Sequence, residues 1–388
     1  MTTPNKPRLV ICTTVPDTLA YILAGQPRFL SAHFDVSLIS SPAPLLTEYA
    51  AQEGVKAYAV PMARGISIWR DLKALWLMYC QLRQLKPDIV HSYTPKAGLI
   101  CALAGFLCRT PVRIHTFTGL LFPTATGGRQ WLLKTLDKLV CRLNTRIVPE
   151  SRGVQKELRK ISSHVGDLIG DGNIAGVDLQ YFSAALADVQ SAAAQLTAEY
   201  RLQRRTMLYL GRLNVDKGLL ELTQALAALP AASRPDLLLV GGDDTEAPLP
   251  AALKAQLLAL PGVHWLGFRQ DVRPALLAAD FLVLPSYREG FPNVILQAAA
   301  LGKPSLCSDI SGCNEFIRDS DNGWLVPPRD AAMLQRKIAQ ICALDDATIQ
   351  AVGHNARLVV QHRFERQGHW QRLLKFYQEL IFEVKKTF

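Results

Sequence analysis

Short apolar segments alternate with longer helical patterns along almost the whole chain, and the alternation runs through twice. Most of these segments lack the strict polar alternation of a strand that faces water on one side. Continuous apolar strands separated by helices are typical of a parallel sheet covered by helices on both faces. The candidate strands are Leu9–Thr13, Val36–Ile39, Ala57–Val60, Ile89–Ser92, Val112–Thr116 and Arg146–Val148 in the first half, and Met207–Leu210, Leu237–Val240, Val263–Leu266, Phe281–Leu284, Ser305–Cys307 and Trp324–Val326 in the second.

The two runs of alternation predict two domains. A segment rich in turn-forming residues, Gly170–Asp178, separates them. Because 388 residues exceed one ordinary hydrophobic core, we predict an α/β chain of two Rossmann-like, doubly wound parallel-sheet domains that face each other across a cleft. The expected domains are residues 1–172 and 173–365, with a C-terminal helix at 366–388 packing back toward the first. The helices predicted in the first half are Thr18–Leu30, Leu45–Gln52, Ile68–Leu85, Ala97–Leu107 and Arg129–Leu143.

Composition and charge narrow the setting in which the chain works. No run of 18 uncharged apolar residues occurs, and the N-terminus lacks the apolar segment of a secretion signal. The eight cysteines form no CxxC pair, so we interpret them as free thiols in a reducing cytoplasm. Residues 1–175 hold 21 Lys/Arg and 11 Asp/Glu, whereas residues 176–388 hold 22 of each. The excess predicts an anionic partner for the first domain: a phospholipid surface, a phosphorylated substrate or a nucleic acid.

The most informative loop follows the strand Phe281–Leu284 and reads Arg-Glu-Gly-Phe-Pro-Asn-Val-Ile-Leu-Gln from 288 to 297. Glu289 therefore lies at the carboxyl end of a buried strand, where parallel sheets bind ligands. A helix predicted over 294–301 begins directly afterwards, and its N-terminal amides favour oxygen-rich or anionic ligands. The loop predicts a binding corner, and the alternative is a surface acid paired with Arg288.

A second loop follows the strand Met207–Leu210 and reads Gly-Arg-Leu-Asn-Val-Asp-Lys-Gly from 211 to 218. Arg212 offers a planar fork of donors and Lys217 a mobile point charge, both just before a predicted helix. Two such cations can bind a diphosphate without a metal. The alternative is a solvated loop in which Asp216 pairs with a neighbour.

Both loops resemble motifs of the family 4 glycosyltransferases. The first is similar to their Glu-x7-Glu signature, with Glu289 in the first position and Gln297 in place of the second acid. The second is similar to their Gly-Arg-Leu-x-x-x-Lys-Gly segment. The resemblance implies the GT-B fold, and it implies that Arg212 and Lys217 hold the diphosphate of a nucleotide-sugar donor. It further implies that Glu289 contacts sugar hydroxyls and that Gln297 contacts the ribose. The other donor-binding candidates, around the helix N-terminus, are Gly290, Phe291, Pro292 and Asn293.

Three residues near predicted strand ends in the first domain are further candidates. Many family members place a catalytic histidine where this chain has Thr118, and His115 lies three positions earlier, within the strand Val112–Thr116. Thr118 and His115 are therefore both catalytic candidates, although a lone strand histidine is more often part of a core. Lys96 follows the strand Ile89–Ser92 and is a candidate for binding an acceptor phosphate, with simple solvent exposure as the alternative.

A basic stripe is predicted along the helix Arg129–Leu143, beside apolar side chains that include Trp131. The helix Ile68–Leu85 adds further basic and aromatic residues. One interpretation is a patch that binds an anionic membrane surface. The other is a pair of amphipathic core helices with solvated charges. The residues of the stripe are Arg129, Lys134, Lys138, Arg142 and Arg146.

The whole pattern resembles bacterial family members that build polysaccharides or glycans on a polyprenyl-diphosphate carrier. The resemblance implies a retaining transfer of a sugar, such as an N-acetylhexosamine, from a UDP-sugar to a lipid-linked sugar at the cytoplasmic face of the inner membrane. It implies no cofactor and no metal, and we read Asp319-Ser-Asp321 as a turn rather than a metal site.

Two other functions stay open on the residues alone. A GT-B-fold UDP-sugar epimerase would need paired acids that the sequence does not reveal. A nucleic-acid-binding protein would need a recognition module. Because the sequence shows no such module, we expect no nucleic acid as partner. A dehydrogenase is disfavoured because no GxGxxG follows a strand.

Overall fold

The computed structural model describes residues 6–62, 65, 67–244 and 247–387. Its internal contacts divide the chain into two compact units. The first unit runs to Ala175 and includes the C-terminal segment from Gln367, and the second unit is Gly176–Arg366. Within the described ranges, no helix carries the long uncharged apolar stretch that a bilayer crossing requires.

The first unit is built on a six-stranded parallel sheet with the order β3-β2-β1-β4-β5-β6. The strands are β1 Arg8–Cys12, β2 Asp35–Ser40, β3 Lys56–Ala59, β4 Ile89–Tyr93, β5 Val112–Phe117 and β6 Arg146–Pro149. The helices are α1 Gln26–Ser31, α2 Pro44–Glu53, α3 Ile68–Leu85, α4 Pro95–Leu107, α5 Gly127–Leu143, α6 Arg152–Arg159 and, last in the chain, α14 Arg366–Thr387.

Helices cover both faces of this sheet because successive strand residues point to opposite sides. Leu9 and Ile11 of β1 belong to a cluster that includes Leu373 and Tyr377 of α14. Val10, between them, packs in a separate cluster with residues of α3 and α4. The Tyr377 hydroxyl also lies 2.6 Å from His91 Nδ1, so a buried polar contact joins α14 to the sheet.

The second unit repeats the architecture, with the strand order β12-β11-β10-β7-β8-β9 and every pairing parallel. Its two hydrophobic clusters again lie on opposite faces of the sheet. The prediction of doubly wound parallel sheets is confirmed for each unit. The strands are β7 Thr206–Leu210, β8 Asp236–Val240, β9 Val263–Gly267, β10 Phe281–Leu284, β11 Ser305–Ser308 and β12 Gly323–Val326. The helices are α7 Ala187–Glu199, α8 Leu219–Ala228, α9 Ala251–Leu258, α10 Arg273–Ala278, α11 Asn293–Ala300, α12 Ala331–Cys342 and α13 Asp346–Arg363.

The predicted helix Thr18–Leu30 was wrong in its continuity. The structure has a π-helical turn over Thr18–Ile22 and then α1, separated by Gly25 with a φ of +80°. A Cβ at Gly25 would lie 2.8 Å from the Trp370 ring of α14, so a side chain here would collide with a neighbouring helix. The short helix α6 was not predicted at all.

Candidate functional site

The strand order of the second sheet reverses between β7 and β10, which are hydrogen-bonded neighbours. Loops at such a switch point open a crevice at the carboxyl ends of the strands, where doubly wound folds bind ligands. These two loops carry the predicted donor site. They also touch: Gly218 has a φ of +70°, and a Cβ there would lie 1.9 Å from the carbonyl oxygen of Pro285. Glycine at 218 is therefore a geometric requirement of the site.

The structure brings Lys217 and Glu289 together across the two loops. Lys217 Nζ donates to Glu289 Oε1 at 2.6 Å, and the two side chains are 21% and 12% exposed. The alternative pairing of Glu289 with Arg288 is wrong, because the Arg288 guanidinium binds Asp216 Oδ2 through Nη2 at 2.6 Å and Nε at 3.0 Å. Asp216 thus forms an ion pair, as the alternative interpretation of that loop proposed. Its partner is Arg288, so Lys217 is available to pair with Glu289.

Arg212 also holds a carboxylate, one that the motifs did not reveal. Its Nη1 lies 2.6 Å from Oδ2 of Asp244, which follows β8 on the neighbouring loop. The Arg212 side chain is 57% exposed, whereas that of Asp244 is 3% exposed. The Tyr209 hydroxyl donates to the Arg212 carbonyl at 2.7 Å, and burial, followed by the charge of Glu289, raises the pKa of Tyr209. The acids of Gly241-Gly-Asp-Asp244, after a buried strand, were the sequence signal for this contact.

The helix α11 begins at Asn293 with Pro292 before it, one residue earlier than predicted. Gly290 and Phe291 are buried, and the Phe291 ring packs 5.2 Å from that of Phe364. The Phe291 side chain is therefore a core group, and only its backbone can serve a ligand. Gln297 is half-buried on the same helix, and no hydrogen bond to its side-chain amide occurs within the described chain.

A second layer of side chains braces the loop after β10. The Tyr287 hydroxyl lies 2.8 and 2.7 Å from the two carboxylate oxygens of Glu221 on α8. The Arg329 guanidinium lies 4.5 Å above the Tyr287 ring. Burial and the Glu221 carboxylate raise the pKa of Tyr287. These contacts could not be predicted from sequence, because their members lie on three separate elements.

The catalytic candidates of the first unit differ in accessibility. His115 lies inside β5 and is 1% exposed, and its Nδ1 lies 3.0 Å from the Ser92 hydroxyl. Burial lowers its pKa to about 3, and a Cβ at Gly98 would lie 2.3 Å from its Cε1. This environment favours the interpretation of His115 as a core histidine. Thr118 follows the end of β5 and is half-buried at the carboxyl edge of the sheet.

Lys96 is not simply exposed. Its Nζ donates to both carboxylate oxygens of Asp71 on α3, at 2.7 and 2.6 Å, and to the Gly65 carbonyl at 3.0 Å. Any anion that binds Lys96 would have to compete with Asp71. No hydrogen bond or ion pair links Lys96 to Thr118 or His115 in the described residues.

The basic stripe needs one correction, because Arg146 is not on the helix. It begins β6 and pairs with Glu383 of α14 at 2.5 Å. The remaining cations lie on α5, whose Trp131 is 69% exposed. On α3, Trp69 is 84% and Trp76 is 64% exposed. We call the exposed aromatic and basic residues of α3 and α5, together with the half-buried Lys134, the basic–aromatic face. Its members are Trp69, Arg70, Lys73, Trp76, Arg83, Arg129, Trp131, Lys134, Lys138 and Arg142.

Comparison with known proteins decides the family. The model described as "Glycosyl transferase 4-like domain" matches residues 22–165, and that described as "Glycosyl transferases group 1" matches residues 204–343. The chain is a family 4 glycosyltransferase. The glycosyltransferase is 28% identical over 369 residues to the capsular polysaccharide biosynthesis glycosyltransferase CapM of Staphylococcus aureus. The matched residues cover 93% of this chain and 94% of CapM.

A further bacterial relative agrees with this family, and a solved structure agrees with the fold. It is 26% identical, over 90% of each chain, to an Escherichia coli protein named UDP-Gal:alpha-D-GlcNAc-diphosphoundecaprenol alpha-1,3-galactosyltransferase. The structure of HepE from Anabaena, solved with UDP and glucose, matches with a TM-score of 0.79 and 18% identity, over 96% of this chain and 100% of that one. The likeness to HepE supports the fold.

The segment Asp319-Ser-Asp321 forms the predicted turn. Asp319 Oδ1 accepts from the Leu325 amide at 2.8 Å, and the Asp321 side chain accepts from Asn355 at 3.1 Å. Across the described ranges, no group of three or more His, Cys, Asp or Glu side chains is placed to hold a metal ion. Metal independence of the reaction stays a prediction.

Proposed function

We propose that this glycosyltransferase transfers a sugar, such as an N-acetylhexosamine, from a UDP-linked donor to a polyprenyl-diphosphate-linked sugar during assembly of a cell-surface polysaccharide or glycan. The observation that carries the donor half is the convergence of Arg212, Lys217 and Glu289 at the switch point of the second sheet. The acceptor half is supported by the Escherichia coli relative, whose name gives a diphosphoundecaprenol-linked acceptor.

The chemistry we propose is a metal-independent transfer with retention at the anomeric carbon. Arg212, Lys217 and the N-terminus of α11 would neutralise the charge that develops on the leaving diphosphate. Glu289 would orient the sugar through its hydroxyls, and Gln297 would donate to and accept from the ribose. We assign no protein nucleophile. On the acceptor side, Thr118 and Lys96 are the proposed contacts in the first unit.

We further propose that the enzyme works at the cytoplasmic face of a membrane, held there by the basic–aromatic face. Interfacial tryptophans and adjacent cations are the groups by which surface helices bind anionic bilayers. Each Lys or Arg near such a surface contributes about 1 kcal/mol. A lipid-linked acceptor cannot leave the bilayer, so docking would bring the enzyme to its substrate.

The test is a panel of UDP-sugars incubated with the enzyme and a bacterial lipid extract, with products identified by mass spectrometry. Transfer predicts a lipid-linked product heavier by one sugar, together with free UDP. Release of UDP and an isomerised sugar without any lipid would favour an epimerase instead. No reaction with any UDP-sugar, but reaction with another nucleotide-sugar, would overturn the choice of UDP.

A further inference from the structure

Asp244 is a buried acid at a place where the proposed function needs a cation. The Asp244 side chain is 3% exposed and lies on the loop after β8. A carboxylate within a few ångströms of a bound diphosphate repels it, unless the carboxylate serves the cation that binds the phosphate. Asp244 therefore either weakens donor binding or positions a donor-binding group.

The contacts of Asp244 favour positioning. Oδ2 lies 2.6 Å from Arg212 Nη1 and accepts from Asn214 Nδ2 at 3.0 Å, while Oδ1 accepts from the Ala247 amide at 3.2 Å. Bonds on both oxygens fix the direction of the carboxylate. Because a buried carboxylate needs a partner, Arg212 is in turn held at one nitrogen.

The rest of the Arg212 guanidinium is available to a ligand. In the described part of the chain, Asp244 is the one side chain that pairs with the Arg212 guanidinium, and the Arg212 side chain is 57% exposed. A free arginine loses much rotational freedom on binding phosphate, whereas an arginine fixed beforehand loses little. We propose that Asp244 is a positioning residue for the donor diphosphate, acting through Arg212. This inference rests on the proposed diphosphate-binding role of Arg212.

The experiment is calorimetry with UDP on the full chain and four variants: Asp244→Asn, Arg212→Ala, the double variant and Asp216→Asn. Asp216→Asn is the matched control, because it removes the same charge from a pair that does not include Arg212. We expect Asp244→Asn to raise the Kd for UDP about fivefold, the effect of leaving one long side chain unordered. The double variant should bind no more weakly than Arg212→Ala alone, because Asp244 acts only through Arg212.

Other outcomes overturn the inference. Tighter binding by Asp244→Asn would show simple repulsion, and an additive loss in the double variant would show a structural role. The same loss in Asp216→Asn would show a general disturbance of the loop after β7, because the removal of an acid would by charge alone tighten the binding of an anion. Turnover adds a readout: positioning raises the KM for the donor more than it lowers kcat. If Asp244→Asn fails to fold by circular dichroism, Asn214→Ala removes one support of the carboxylate without changing charge and should raise the Kd about twofold; unchanged binding would then overturn the inference.

Failure of the proposed function gives a different pattern. If the wild type does not bind UDP, the same variants are titrated with ADP, GDP and inorganic pyrophosphate. Binding of one of these with the expected ranking keeps the role of Asp244 and removes only UDP as the donor. If wild type binds none of them, both proposals fall.

Discussion

Replacing Glu289 with Gln is expected to tighten UDP binding while it slows transfer. Glu289 Oε1 lies 2.6 Å from Lys217 Nζ, and both side chains are largely buried. A diphosphate that binds Lys217 must therefore displace a carboxylate that is already there. Glutamine keeps the shape of the side chain but removes the charge that competes with phosphate. In the proposed mechanism the displaced Glu289 is then free to accept from a sugar hydroxyl.

The size of the effect follows from the exposure of the pair. Two unit charges 4 Å apart attract by about 4 kcal/mol at an effective dielectric constant of 20. Most of that is offset by desolvation, and exposed pairs are worth only about 0.2–1 kcal/mol. The pair of Lys217 and Glu289 is less exposed than such surface pairs, so we take its contribution as about 1 kcal/mol. Removing this competition should lower the Kd for UDP roughly fivefold. Loss of a charged acceptor for the sugar costs about 1.5–3 kcal/mol, so kcat should fall roughly 10- to 150-fold.

The assay is calorimetry with UDP, followed by turnover with the donor that the enzyme accepts. Asp216→Asn is again the control, since Asp216 pairs with Arg288 and not with Lys217. Its Kd for UDP should change less than twofold. In a Lys217→Met background, Glu289→Gln should no longer tighten UDP. Weaker binding by Glu289→Gln in the wild-type background would refute the reasoning, because it would mean that Glu289 holds Lys217 in place for the phosphate.

Three further outcomes are expected. Gln297→Ala should raise the Kd for UDP about threefold, as expected for a neutral hydrogen bond, and leave pyrophosphate binding unchanged, both by calorimetry. Replacing Trp69 and Trp131 with Ser should reduce co-sedimentation with anionic liposomes. The control Phe268→Ser in the second unit should not, although Phe268 is about as exposed as Trp131. Burial lowers the pKa of His115 to about 3, so as the pH falls this histidine is protonated in the unfolded state before it is protonated in the folded state. The free energy of unfolding therefore decreases as the pH falls below about 6.5. His115→Gln should lessen the pH dependence of the unfolding free energy, measured with urea between pH 4 and 6.5, by about 1.4 kcal/mol per pH unit.

The fold of each unit could be predicted from sequence, because strands that are buried on both faces have continuous apolar sequences. Even the edges of the predicted strands lie close to the observed ones, as with Phe281–Leu284. The break at Gly25 was missed although the sequence carries signals for it, because Gly25 and Pro27 both disfavour the interior of a helix. What the sequence could not show is the contact with Trp370 on the last helix, which leaves no room for a side chain at position 25.

The places of the candidate donor-site residues at strand ends could be predicted, but their partners could not. Neighbours in sequence suggested that Arg288 would pair with Glu289, yet each binds a residue of the loop after β7. Which acid meets which cation depends on the strand order, which sets the loop after β7 between those of β8 and β10. Asp244 was missed for the same reason, since its role depends on the adjacency of β7 and β8.

Net charge predicted an anionic partner for the first domain and did not single out the second unit, where Arg212 and Lys217 lie, and the ion pairs of these two residues explain why. Residues 176–366 hold 18 Lys/Arg and 20 Asp/Glu, and Arg212 and Lys217 are each paired with one of these acids. A diphosphate that bound Lys217 would replace Glu289 as its partner, so this unit would need no excess of basic residues to bind one. By contrast, the exposed Lys138 and Arg142 on α5 make no ion pair within the described chain. Their positive charge can therefore attract an anionic surface through the solvent.

The two kinds of site should therefore respond differently to salt. Unpaired surface cations act over a Debye length, which shrinks from about 10 Å at 0.1 M salt to about 3 Å at 1 M. Lys217, which is paired and largely buried, acts over a direct contact, which salt screens much less. We expect liposome co-sedimentation to be largely lost between 0.1 and 0.5 M NaCl, while the Kd for UDP rises by less than about threefold. Equal sensitivity of the two would mean that UDP is held mainly by the general field of the protein, and that the ion pairs at the switch point do not form its site.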